Sequence, residues 1–226
     1  MNQYIDIAID IETLSLTPNA AIISIAAQPF ARPTIGRECM EDSDLFKPEY
    51  SNTADKLCQL DCEPFCAYIN ATTCALAGMD FDPKTIQWWA ERDDAAKAAV
   101  LGGPTRSIGQ ALESLQIYLE VIKNTVPDCR LRMWAQGGDF DFSVLRSAFR
   151  RCLPGTDLPW DFRDQRDART FILEALGVNN PGEEPKKLYD LIPPLPDGEP
   201  WVKHSALSDA RRTAHNVAYC TQVLLR

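Results

Sequence analysis

No stretch of this chain stays apolar for anything near the roughly 18 residues that a membrane-spanning helix needs, so no membrane association is expected. The sequence opens on polar Asn2 and Gln3 and runs straight into a strand-like segment, and a cytoplasmic protein is expected from that opening. Positive charge is scarce as well: 23 Lys and Arg stand against 32 Asp and Glu, a net charge of −9. An acidic chain cannot gather nucleic acid through its overall field, so a phosphate-binding surface would have to be local and helped by metal. The imbalance is uneven, with 8 basic against 17 acidic residues in 1–113 and 15 against 15 in 114–226. Arg146, Arg150, Arg151, Arg163, Arg166 and Arg169 fall within 24 residues, where each reads as a phosphate contact or as part of a solvated helix face.

Regular cysteine spacing is missing too. Cys58, Cys62, Cys66 and Cys74 cluster at spacings of 4, 4 and 8, a loose fit to the paired ligands of structural zinc, and free thiols in a reducing compartment are expected. Internal repeats, low-complexity tracts and linkers are absent. The 226 residues therefore read as one domain with insertions, one at about 31–75 and a Pro-rich excursion at about 179–201.

What is present is organised around residues 4–24, YIDIAIDIETLSLTPNAAIIS. Residues 4–11 alternate Ile with short or polar residues and predict a buried strand. Side chains two apart share a face of a strand, so Asp10 and Glu12 project together. Two such carboxylates repel, and a divalent cation between them relieves the repulsion; Mg²⁺ and Mn²⁺ favour oxygen ligands. A solvated pair at a sheet edge is the plainer reading of Asp-x-Glu alone. After a turn at Thr17-Pro18-Asn19, residues 20–27 predict a second strand antiparallel to the first, and residues 65–72 a third.

Asp82-Pro83 opens a predicted helix through Glu91, residues 93–101 a second, and residues 107–123 an amphipathic third. Trp88 and Trp89 must point to different faces of their helix, one into the core and the other toward solvent, where it is available to stack on a base; Trp89 is the candidate for substrate contact. Residues 129–135 predict a strand that closes at Gln136-Gly137-Gly138. Helices are predicted over 139–152, 164–176 and about 205–225. Strands first, then strands alternating with helices, indicate an α/β domain on a mixed sheet.

Two more carboxylates have matching settings. Asp141 follows the Gly-Gly turn at a predicted helix start, where an anion is favoured, and Asp139 is the better candidate for capping that helix. Asp209 starts the last helix, with His204, one of only two histidines, five residues before it. In this order the motifs resemble the DEDD superfamily of 3′–5′ exonucleases, in the subgroup whose third motif carries His: DIET at 10–13, FD at 140–141 and HSALSD at 204–209. The chain looks like a phage and bacterial branch described as exoribonuclease- or exodeoxyribonuclease-like, through Pro18-Asn19, the TIQWW of 85–89 and the RDART of 166–170.

The resemblance implies a ribonuclease-H-like fold, a mixed β-sheet flanked by helices. It also implies two divalent cations, Mg²⁺ or Mn²⁺, held by Asp10, Glu12, Asp141 and Asp209, with His204 as general base. Thr13 and Leu14 would touch the terminal nucleotide, the backbone of Thr13 and the side chain of Leu14 wedging the last bases. Arg166 and Arg169 are candidates for phosphate, or for an ion pair with Asp167, which is favoured for at least one of them. The implied activity is release of nucleoside 5′-monophosphates from the 3′ ends of RNA or single-stranded DNA. A non-catalytic nucleic-acid-binding or assembly module on the same fold is the alternative, and the acidic, partly apolar insertion is a candidate contact surface for a homodimer.

Overall fold

Eleven residues, Gln3–Thr13, form the strand from which the sheet is built outward. The computed structural model describes residues 3–33, 45–51, 57–126, 128–177, 191–196, 198 and 201–225. In chain order the strands are β1 (Gln3–Thr13), β2 (Ile22–Phe30), β3 (Glu49–Ser51), β4 (Leu57–Gln59), β5 (Phe65–Ile69), β6 (Thr105–Arg106), β7 (Cys129–Ala135) and β8 (Gln165–Asp167). The helices are α1 (Ala71–Leu76), α2 (Pro83–Ala90), α3 (Asp94–Leu101), α4 (Ile108–Thr125), α5 (Gly138–Cys152), α6 (Ala168–Ala175) and α7 (Ala206–Leu224).

Six strands make one mixed sheet in the order β6-β5-β2-β1-β7-β8, and β3 pairs with β4 in a separate ribbon. β1 lies antiparallel to β2 and parallel to β7. The β1 sequence dictates two unlike faces. Ile5, Ile7, Ile9 and Ile11 point into the larger core, against Leu112, Leu115 and Leu119 of α4 and Leu145, Ala148 and Phe149 of α5. Burial of each such side chain contributes about 1.5–3 kcal/mol. The opposite face carries Asp6, Ala8, Asp10 and Glu12 under α7. There Ala8 packs with Trp134, Ile172, Ala214, Val217 and Ala218, and Ala26 meets Ala206 and Ala210. Small side chains on both partners let the start of α7 settle close to the sheet at the level of Asp10, whose register partner is Ala26.

The α/β mixed sheet agrees with the expected architecture, and β7 has the predicted bounds. Several elements differ. The third strand stops at Ile69, not residue 72, because the Asn70 side chain accepts the Thr72 N–H and starts α1. The predicted helix over 164–176 is a 3₁₀ turn at Phe162–Asp164, then β8, and only then α6. Asp167 stops the strand and caps α6 by accepting the Thr170 N–H at 2.7 Å. Of the insertion, residues 34–44 and 52–56 lie outside the described residues, as does most of the Pro-rich excursion, 178–190 included.

Candidate active site

β1 outruns its parallel neighbour. The last β1–β7 register pair is Ala8 with Trp134, so Asp10 and Glu12 lie where β7 has turned away. The turn uses Gly137 at φ 90°, a left-handed conformation that glycine adopts without a Cβ penalty. α5 then opens against the end of β1 and delivers Asp141 from its first turn into a buried position. Gly137 occupies the cap position with no side-chain bond, and the Gly138 N–H is met by Asp167 Oδ2 at 2.7 Å. Capping therefore comes from β8. Asp139 lies inside the first turn and does not cap the helix.

The third contribution comes from α7. Ser205 caps it by accepting the Ser208 N–H, and Asp209 lies in its first turn. Asp209 Oδ1 accepts the Trp201 indole N–H at 2.6 Å, and Oδ2 accepts the His204 backbone N–H at 2.9 Å. His204 has φ 65°, unusual for a residue with a side chain. Its ring meets Trp88 edge to face, with centroids 4.7 Å apart. Among the described residues, Glu12, His204 and Asp209 bring potential ligand atoms within 4.8 Å of one another.

Electrostatics tie Asp10 and Asp141 to the same spot. Burial, then the charges of Asp141, Asp209 and Glu12, hold the Asp10 carboxyl well above the carboxylate range. Glu12 is pushed up to about 8 by burial and by Asp209 and Asp141. Burial also lifts Asp141 to about 7, against the pull of the Ile11 backbone amide and the Arg169 charge. Burial raises Asp209 too, countered by its bonds from Trp201 and His204. Asp141 and Asp209 thus suppress the ionisation of Asp10 and Glu12, and the four carboxylates form a hard-oxygen donor set that suits Mg²⁺ or Mn²⁺. His204 is lowered by burial and by Lys203 and Arg92, which keeps its imidazole neutral near pH 7.

A profile of the Rv2179c-like 3′–5′ exoribonuclease domain matches residues 5–221. The chain belongs to this exoribonuclease domain family. The matched span runs from β1 into α7 and takes in all four carboxylates and His204. No individual curated protein matches the chain at a significant level.

The remaining predicted residues fall in varied places within the family's domain. Thr13 is buried with its hydroxyl on Ser15 O, and Leu14 is half-buried between two apolar clusters. The base-stacking role expected of Trp89 needs correction: Trp89 is 8% exposed, packs on Ile23 and Val100, and donates its indole N–H to Thr13 O at 2.9 Å. Trp88, at 36%, is the exposed member of the pair. Arg166 donates to the carbonyls of Arg163 and Gln165. The oxygens of Asp167 serve the Gly138 and Thr170 amides, and of the ion pair expected from Arg166 or Arg169 only the Arg169 charge acts on Asp167, lowering its carboxyl. Arg169 lies over Gly137 and beside Asp141, at the edge of the carboxylate cluster. Sequence reasoning passed over Trp201 and Arg92, both tied to the His204–Asp209 segment; an aromatic three residues before the histidine was the available signal.

Proposed function

We propose that this chain is a divalent-metal-dependent 3′–5′ exoribonuclease of the DEDD type with histidine in its third motif, releasing nucleoside 5′-monophosphates from RNA 3′ ends. The observation that carries the reading is the convergence of Asp10, Glu12, Asp141 and Asp209 from three separate elements on one spot beside His204. The family match supports RNA as the substrate.

Asp10, Glu12, Asp141 and Asp209 would hold two Mg²⁺ or Mn²⁺ ions, which when bound supply Lewis acidity for the attacking water, the phosphate and the leaving 3′-oxygen. His204 accepts the proton of the attacking water as the new P–O bond forms and the bond to the 3′-oxygen breaks. The pair of electrons leaves with that oxygen, which takes its proton from solvent. His204 is fit for this role because its neighbours keep it neutral and Trp88 limits its ring orientation. Arg169, whose charge lowers the Asp141 carboxyl, would contact the phosphate, where a guanidinium complements developing negative charge. Leu14, half-buried beside β1's end, would wedge the terminal base.

The direct test is a time course on matched 3′- and 5′-labelled single-stranded RNA and DNA, with Mg²⁺, Mn²⁺ or EDTA. Mononucleotides released from the RNA 3′ end, only with metal and not by Asp10→Ala, are the expected result. Absence of cleavage of either polymer under every metal would reject the proposal in favour of a non-catalytic module.

A further inference from the structure

Residues 201–205 fold back onto the first turn of α7 by contacts that leave little freedom. The Val202 N–H donates to Ser208 Oγ at 2.9 Å, and the Ser205 N–H to Val202 O at 3.2 Å. The other two bonds, from the Trp201 indole and the His204 amide, take one oxygen each of Asp209. Trp201 itself is 41% exposed, and its ring is covered by the Arg212 guanidinium 3.9 Å from the centroid. A half-exposed tryptophan here contributes little core burial. Its distinctive act is to aim its only polar atom at a site carboxylate.

We propose that Trp201 is a positioning residue for Asp209 and His204. The inference rests on the metal-dependent reading of this site. An ionised carboxylate has about four acceptor positions, so one N–H on each oxygen leaves each oxygen a lone pair for a cation. The indole bond fixes the carboxylate plane. That carboxylate in turn holds the His204 amide, and with it the left-handed backbone that turns the imidazole toward Glu12. Strained backbone persists where the surroundings over-determine it, and here Asp209 and Trp201 are those surroundings. Donors that orient metal-binding carboxylates act on affinity and rate together.

Trp201→Phe removes the N–H and keeps a ring for Arg212. The experiment compares the full-length parent, Trp201→Phe and Asp209→Asn in Mn²⁺ titration by electron paramagnetic resonance, in metal-free melting, and in kcat and KM on 3′-labelled RNA. For Trp201→Phe the Mn²⁺ Kd should rise ~10- to 100-fold and kcat should fall in proportion, while metal-free melting stays at the parental temperature and KM changes little. Asp209→Asn should lose tight Mn²⁺ binding altogether. An active parent whose Trp201→Phe variant binds Mn²⁺ with unchanged affinity overturns this inference and leaves the exonuclease standing. A parent that neither binds Mn²⁺ nor cleaves RNA overturns both.

Discussion

Asp6 and Asp10 lie four residues apart on one face of β1, in surroundings of opposite charge. Asp6 is gripped by Arg132 through two bonds of 2.6 Å, accepts the Trp134 indole N–H, and has Arg32 at 3.7 Å. Asp10 has Glu12, Asp141 and Asp209 as its charged company. One strand thus carries a carboxylate paired with arginine that joins β1 to β7 and a carboxylate cluster that is only partly offset by its neighbours and that cations or protons would settle. A buried charge that is paired leaves its partner uncompensated when it is removed, whereas one held among like charges stores repulsion that a ligand can release. Charge of the same sign on the same face does different work according to what the neighbouring strand and helix bring to it.

Removing each aspartate should give opposite readouts. Asp10→Ala is expected to lower kcat on 3′-labelled RNA by about 10³-fold or more, the rate equivalent of ~4 kcal/mol, with no loss in metal-free melting temperature. His204→Ala should lower kcat by about 10²- to 10⁴-fold and leave KM and stability close to parental; cleavage at the parental rate would dismiss it as general base. Asp6→Ala should instead leave Arg132 half-buried without its partner and cost about 3 kcal/mol of stability in urea unfolding, its kcat unchanged wherever the fold persists. If Asp6→Ala proved neutral to stability and Asp10→Ala destabilising, the contrast between the two ends would have been drawn the wrong way round.

The same contrast has a pH dependence whose sign is fixed by the direction of the shifts. Glu12 at about 8 and Asp141 at about 7 stand above their unfolded values. Between their unfolded and folded values the folded chain holds protons that the unfolded chain has released, so the contribution of these two groups to metal-free stability is full at low pH and is lost as pH rises through 7 to 8. Melting curves without divalent cation should show that decline. Saturating Mn²⁺ should reverse it, most strongly at the alkaline end, where the carboxylates are free to ligate. A flat metal-free profile from about pH 4.5 to 8, roughly the interval between the ordinary carboxyl values and the raised ones of about 7 and 8, would mean that the carboxylates do not face one another as described.

The carboxylates of the candidate site were more legible in the sequence than the pairing at the other end. Asp10 and Glu12 announce themselves by strand periodicity, Asp141 by the Gly137–Gly138 turn, and Asp209 by its spacing from His204, all local signals. The Asp6–Arg132 pair spans 126 positions, and only the parallel register of β1 with β7 places Arg132 opposite Asp6. β8 was hidden for the same reason: three residues, QRD, carry no periodicity, and their strand conformation exists only because Met133, Trp134 and Ala135 offer an edge. Adjacent Trp88 and Trp89 show the limit at finer grain. Helical geometry separates their faces, but which face is inside depends on where the end of β1 and Ile23 lie.

Each end of β1 is also tied down by one indole N–H, and these two bonds give the smallest effects. Trp134 donates to the charged Asp6 and Trp89 to the neutral carbonyl of Thr13. Hydrogen bonds to charged groups contribute roughly 1.5–3 kcal/mol and neutral ones roughly 0.5–1.5 kcal/mol, so Trp134→Phe should destabilise more than Trp89→Phe, for which about 1 kcal/mol is expected. Their effects on activity should run in the reverse order. Thr13 follows Glu12 at the β1 bulge, where register shifts between Glu12 and Thr13, so loosening its carbonyl reaches the carboxylate cluster directly, whereas Trp134 lies at the far end of the face. A Trp89→Phe chain with parental kcat and a Trp134→Phe chain with impaired kcat would show that the route from packing to chemistry runs through β7 instead of through the end of β1.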